Sequence, residues 1–213
     1  MALTQTDIDT LAARPVAAGK LLINGQWLDG EGGETVVLSP INGQALTTTA
    51  SASAADVARA VTSSRAAFES GIWSRSAPAT RKAVLHRLAD LIDKHALELA
   101  VLGVRDNGTD ISMAIKAEPA SAAGTFRYYA EAIDKVYGEI APTADNVLAL
   151  IHHEPVGVVA AIVPWNFPLM IGAWKIAPAL AAGNSIILKP AETASLTLLR
   201  LAELALEAGN DYI

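Results

Sequence analysis

Val156-Gly157-Val158-Val159-Ala160-Ala161-Ile162-Val163 is apolar at every position but the glycine and runs straight into Pro164-Trp165-Asn166-Phe167-Pro168. Aliphatic residues without polar alternation predict a strand in a sheet covered on both faces, as parallel strands are. The spacing downstream predicts a helix from about 168 to 182, a strand over 185–189 and a helix over 194–208 closed by Gly209. This β-α-β-α order marks an α/β fold with a parallel sheet.

Upstream, the pattern is mainly helical through residue 137. Asn24-Gly25 between short apolar runs predicts a hairpin with a type I′ turn. Ser53 and Asp56 form a capping box for a helix whose Val57, Val61, Ser64 and Phe68 share one face. Pro78 suits the first turn of a second helix, and Asn107-Gly108 stops the helical pattern that follows. Pro119 is expected to open a long helix carrying Phe126, Tyr129, Ile133 and Tyr137. A further strand is expected over 147–151, just before His152-His153-Glu154-Pro155.

Composition limits the function classes. The 213 residues are 52% hydrophobic, enough for one substantial core. Sixteen basic and 22 acidic side chains leave a net charge of −6 with no basic cluster, which argues against nucleic acid as a partner. Asp7 and Asp9 lie where a secretory signal would be basic and then apolar, so the expected compartment is cytoplasmic. The apolar runs are too short or too interrupted for a membrane span. The chain has no cysteine, which removes disulfides, thiolate metal sites and a cysteine nucleophile. His152 and His153 alternate faces on a strand, so no metal site is expected there.

In a parallel βαβ unit the ligand lies beyond the carboxyl ends of the strands. Those ends are Pro164-Trp165-Asn166-Phe167-Pro168 and Leu188-Lys189-Pro190-Ala191-Glu192. The two prolines around Trp165-Asn166-Phe167 restrict the backbone and so the direction of Asn166, whose amide N–H can donate to an oxyanion. Lys189 and Glu192 present a cation and a carboxylate suited to ribose hydroxyls. Each has a plainer reading: Asn166 as a turn former, Lys189 and Glu192 as solvated charges, Lys175 as a lysine reaching from a helix to water. Phe167, Ile171 and Trp174 have helical spacing and read, on pattern alone, as core. Glu98, Asp106 and Asp110 read as surface charges.

Glu154-Pro155-Val156-Gly157 through Pro164-Trp165-Asn166-Phe167-Pro168, then Trp174-Lys175, Pro178-Ala179-Leu180, Gly183-Asn184 and Leu188-Lys189-Pro190-Ala191-Glu192, resemble the NAD(P)-dependent aldehyde dehydrogenase superfamily. Ile23-Asn24-Gly25-Gln26-Trp27 and Tyr137-Gly138-Glu139 extend the likeness over roughly residues 20–209. The segment Asp134-Lys135-Val136-Tyr137-Gly138-Glu139-Ile140-Ala141-Pro142 is most similar to bacterial ω-amino-aldehyde dehydrogenases of the gamma-glutamyl-gamma-aminobutyraldehyde and 4-guanidinobutyraldehyde type.

The resemblance implies an aldehyde dehydrogenase-like fold in three parts. These are an N-terminal hairpin and helices over 1–137, oligomerisation-arm strands over 138–154, and the first part of a Rossmann-like unit over 155–213. It implies oxidation of an aldehyde to an acid with NAD as cofactor, NADP remaining open because Lys189 accepts a 2′-phosphate if Glu192 swings away. Asn166 would donate to the thiohemiacetal oxyanion; Ile162, Pro164 and Trp165 would line the dinucleotide; Lys189 and Glu192 would hold the adenosine ribose. Phe167, Ile171 and Trp174 would face the aldehyde tunnel, with Lys175 near the nicotinamide side. A homo-oligomer is implied as well. The family's nucleophilic cysteine and general-base glutamate are expected beyond residue 213, and the likeness stops at Gly209, before Asn210-Asp211-Tyr212-Ile213. The expectation is therefore an N-terminal portion, inactive alone, from a frameshifted, prematurely stopped or shortened gene. The alternative is a noncatalytic nucleotide-binding or assembly module.

Overall fold

The computed structural model describes residues 4–209; the tail Asn210–Ile213 and the first three residues of the N-terminal reading lie outside them. Helix α1 (Gln5–Ala12) starts from a capping box of Thr4 and Asp7. Strands β1 (Leu21–Ile23) and β2 (Gln26–Leu28) form the expected hairpin. Asn24 and Gly25 both take positive φ, 53° and 69°, as a type I′ turn requires.

A second hairpin, β3 (Glu34–Leu38) with β4 (Ala45–Ala50), corrects the expectation that the region before 137 is mainly helical. Val36, Val37 and Thr47 to Thr49 are β-branched and favour extended backbone. Gly43, at φ 72°, closes the connection.

Helix α2 (Ala54–Ser70) has the predicted Ser53–Asp56 capping box. Its apolar face is not fully covered: Val57 and Val61 are about half exposed, and Asp56 is its one buried residue. The Asp56 carboxylate accepts from the Glu31 and Ser53 N–H groups and pairs with Arg59, and these bonds hold it well below the usual carboxylate range. Helices α3 (Pro78–Lys94) and α4 (Ala96–Asn107) meet at His95, and Gly108, at φ 77°, ends α4.

Helix α5 (Ile111–Ala132) corrects another expectation, since it begins eight residues before Pro119. Asp110 supplies the start, its carboxylate accepting from Ser112 N (2.9 Å) and Met113 N (3.3 Å). Pro119 is tolerated inside, buried against the layer beneath, although it cannot donate to the carbonyl four residues back.

The predicted strand over 147–151 is shorter. Strand β6 (Ala149–Ile151) pairs antiparallel with β5 (Glu139–Ala141), leaving Val147 and Leu148 exposed in the connection. Strand β7 (Val158–Ile162), helix α6 (Pro168–Ala181), strand β8 (Ser185–Lys189) and helix α7 (Leu196–Ala208) make the βαβα unit. β7 and β8 are parallel, in register from Val158 opposite Ser185 to Ile162 opposite Lys189. Asn184 is buried and clips the start of the pair: its Oδ1 accepts from Gly157 N (2.9 Å), and its Nδ2 donates to Ala179 O (3.2 Å). Helix α7 starts two residues later than expected because Ala191 and Ala194 close a tight turn first.

β7 is not covered on both faces. Ala161 and Val163 are buried on one face, but Ile162, which points to the other, is 69% exposed. The core lies between α3, α5, α6 and α7, where Leu85, Leu88, Ile92, Phe126, Leu169 and Leu198 are almost completely buried. No described helix is long and apolar enough to cross a membrane.

Candidate cofactor edge and its neighbouring cleft

The parallel ladder runs one step past β7, since Val163 N donates to Lys189 O at 3.0 Å. Residues 164–168 and 189–192 thus leave the same edge of the sheet side by side. Pro164, Trp165 and Asn166 are exposed there, and so is Ile162. Phe167 is half-buried with φ −143° and ψ 64°, after which Pro168 begins α6.

Across the edge, Lys189 Nζ lies 2.6 Å from Glu192 Oε1 and 3.1 Å from Pro190 O. The lysine holds the Glu192 carboxyl below its ordinary range. Both side chains are more than half exposed, so the pair adds little to stability and remains open to a polar ligand. The sequence-predicted groups Ile162, Pro164, Trp165, Asn166, Lys189 and Glu192 therefore share one edge.

The remaining candidates separate. Trp174 is 53% exposed and lines a cleft of about 330 Å³ with Ser121, Gly124, Thr125, Tyr128 and Tyr129, between α5 and α6. Tyr128 and Tyr129 meet edge to face, centroids 5.2 Å apart. Ile171 packs against the core, Phe167 sits at the start of α6, and Lys175 is exposed. The α5 wall of the cleft went unnoticed in the sequence, where Ser121, Thr125 and Tyr128 look like the solvent side of an amphipathic helix. Among the described residues no three His, Cys, Asp or Glu side chains are grouped to hold a metal.

Two buried acids behind the edge were also missed. Asp106 is 1% exposed, not a surface charge, and its Oδ2 accepts from Leu196 N at 2.8 Å, capping α7. Burial, above all, pushes its carboxyl up to about 7, the nearby Glu118 charge adding to this against the Leu196 bond. Its Oδ1 has no hydrogen-bond partner among the described residues. Glu118 is 4% exposed; its Oε2 accepts from Leu169 N (3.0 Å) and Met170 N (3.4 Å), capping α6. Burial raises this carboxyl as well. An acid in the last turn of a helix, where Asp106 sits, opposes the local dipole and was the one available hint of a tertiary role. Glu98 is likewise partly buried, bonded to His95 (2.7 Å) and Arg200 (2.9 Å), whereas Asp110 is exposed and caps α5.

A model of the aldehyde dehydrogenase family matches residues 27–211. The chain is 51% identical over 191 residues to the NADP/NAD-dependent aldehyde dehydrogenase PuuC of Escherichia coli, covering 89% of this chain and 39% of that protein. It is 44% identical over 208 residues to an aminoacetaldehyde dehydrogenase of Pseudomonas aeruginosa, covering 97% of this chain and 42% of the relative. The indole-3-acetaldehyde dehydrogenase AldA of P. syringae, solved with NAD+, superposes with a TM-score of 0.94 at 46% identity, over 98% of this chain and 42% of that one. The chain thus spans about two fifths of the length of the relatives it matches. With a family model matched over most of its length and a shared fold at this level of identity, the chain belongs to the aldehyde dehydrogenase family.

Proposed function

We propose that this chain carries the adenosine-ribose and oxyanion-donor parts of an enzyme that oxidises aldehydes, ω-amino aldehydes among them, to carboxylic acids with NAD. The observation that carries this reading is the shared sheet edge, where the Lys189–Glu192 pair stands beside the loop bearing Asn166. The exposed Glu192 carboxylate accepts from vicinal ribose hydroxyls and Lys189 donates to them, which favours NAD; NADP is admitted if Glu192 turns away from Lys189. Ile162, Pro164 and Trp165 offer apolar surface to the dinucleotide on the same edge. When bound, the nicotinamide supplies the hydride acceptor. Asn166 donates its side-chain N–H to the carbonyl oxygen as that oxygen gains negative charge. The aldehyde approaches from the cleft that Trp174 lines, with Phe167 and Ile171 assigned to face it and Lys175 assigned to the nicotinamide side. The nucleophile is not among these 213 residues if it is a thiol, and the chain alone is expected to show no turnover.

Calorimetric titration of the chain with NAD+ tests the reading. Saturable binding that weakens in Lys189→Ala and Glu192→Ala is expected, and binding indifferent to both substitutions refutes the ribose assignment.

A second reading, a noncatalytic nucleotide-binding or assembly module, draws on the β5–β6 hairpin. Ile140 and Leu150 there are 73% and 67% exposed, and the hairpin pairs with nothing else among the described residues. Such a strand pair favours self-association as a homo-oligomer within the cytoplasm. Light scattering that finds a monodisperse monomer would count against it, and aldehyde turnover by the chain with NAD+ would exclude a noncatalytic role.

A further inference from the structure

Helices α6 and α7 are each held at both ends by acidic and basic side chains from the helical layer. At α6, Glu118 takes the first-turn N–H groups of Leu169 and Met170, and Arg81 Nε donates to Ala181 O at 3.2 Å. At α7, Asp106 takes the Leu196 N–H, and Arg87 Nε donates to Ala208 O at 2.8 Å. Neither helix is capped by its own N-cap side chain, Phe167 or Ser195. A carboxyl group at the amino end and a guanidinium at the carboxyl end are aligned with the helix dipole in both cases. Each helix is therefore held from α3, α4 and α5 in addition to its own local start signals.

The two grips differ in what they reach. At α7, Glu192 lies inside the tight turn that Ala191 and Ala194 close, so that turn holds it independently of the Asp106 cap at Leu196. Among the described residues no such closed turn holds Asn166. Leu169, bound to Glu118, is three residues past Asn166, and the intervening backbone includes Pro168, whose φ is locked by its ring. The other end of the loop is tied at Val163 to the ladder. We infer that Glu118 is a positioning residue for Asn166: its buried carboxylate fixes the first turn of α6 and, through Pro168, the direction of the Asn166 amide. This rests on the role proposed above for Asn166. No sequence motif points to it, because the two residues are 48 positions apart.

The test is Glu118→Gln in the whole chain, followed by NMR. Glutamine keeps the volume and one acceptor oxygen but removes the charge, and charge-assisted bonds are roughly twice as strong as neutral ones. Amide exchange at Leu169 and Met170 is expected to rise about tenfold, the Asn166 side-chain amide resonances to shift, and exchange at Phe126, on the core side of α5, to rise much less. Glu118→Ala is expected to do the same more strongly; if it does not fold, Glu118→Gln decides. Unchanged Leu169, Met170 and Asn166 signals in Glu118→Gln overturn the inference. So does a rise at Phe126 that keeps step with them, since that marks loosening of the core alone. NAD+ titration of the unmutated chain is read separately: absence of binding sinks the cofactor assignment, while the exchange data still decide whether Glu118 holds this loop.

Discussion

Replacing Asp106 by asparagine is expected to stabilise the chain above neutral pH. The carboxyl is 1% exposed, one oxygen takes the Leu196 N–H, and the other has no partner among the described residues. In the folded chain its pKa is pushed up to about 7, against 3.8 unfolded. The folded state therefore holds the proton more tightly, so its stability is fully present below pH 3.8 and is lost as pH rises through 7. The gap of about three pH units, at 1.36 kcal/mol each, corresponds to about 4 kcal/mol, most of it lost between pH 5 and 7. Asparagine keeps an acceptor for Leu196 N and never ionises. Urea unfolding followed by far-ultraviolet circular dichroism from pH 5 to 8.5 reads the difference. Glu118 is raised in the same direction but is present in both proteins, and Asp56, lowered by its bonds, titrates below this window. The expected result is that Asp106→Asn overtakes the parent chain as pH rises and is the more stable by a few kcal/mol at pH 8. A difference that stays constant across the range, or an Asp106→Asn chain weaker at pH 8, refutes the reasoning.

Phe126, fully buried between the helices, should cost about 3–5 kcal/mol on replacement by alanine, read as a lower urea midpoint with an unchanged slope. Asn184→Ala leaves the Gly157 N–H without its acceptor at the start of the parallel pair; a loss of about 1–3 kcal/mol is expected, and a chain of unchanged stability would show that the clip is dispensable. Ile140→Lys with Leu150→Lys is expected to abolish any self-association seen by light scattering while leaving the melting temperature of the core unchanged.

The local signals were legible where a residue acts on its own neighbours. Asn24-Gly25, Ser53 with Asp56, Pro78, Gly108 and Pro168 each place a turn or a helix end by backbone chemistry, and the structure has them there. The sheet-edge residues Asn166, Lys189 and Glu192 were legible too, because a parallel strand leads its loop to one predictable end. Pro119 misled because its rigidity suits a helix start, while Asp110 offered the stronger start nine residues earlier. The β3–β4 hairpin was passed over although its threonines and valines announce it.

What the amino-acid order determined by itself was the first hairpin, most of the helices, the parallel β7–β8 pair and the family. Backbone propensity and apolar periodicity act within a few residues and need no partner. Tertiary structure alone decided which charges lie inside. Asp106 and Glu118 carry no local mark of burial, and they are buried because each finds the free N–H groups of a helix far away in sequence. It also decided that Ile162 stays open, since an apolar strand records its need for cover but not the surface that meets it.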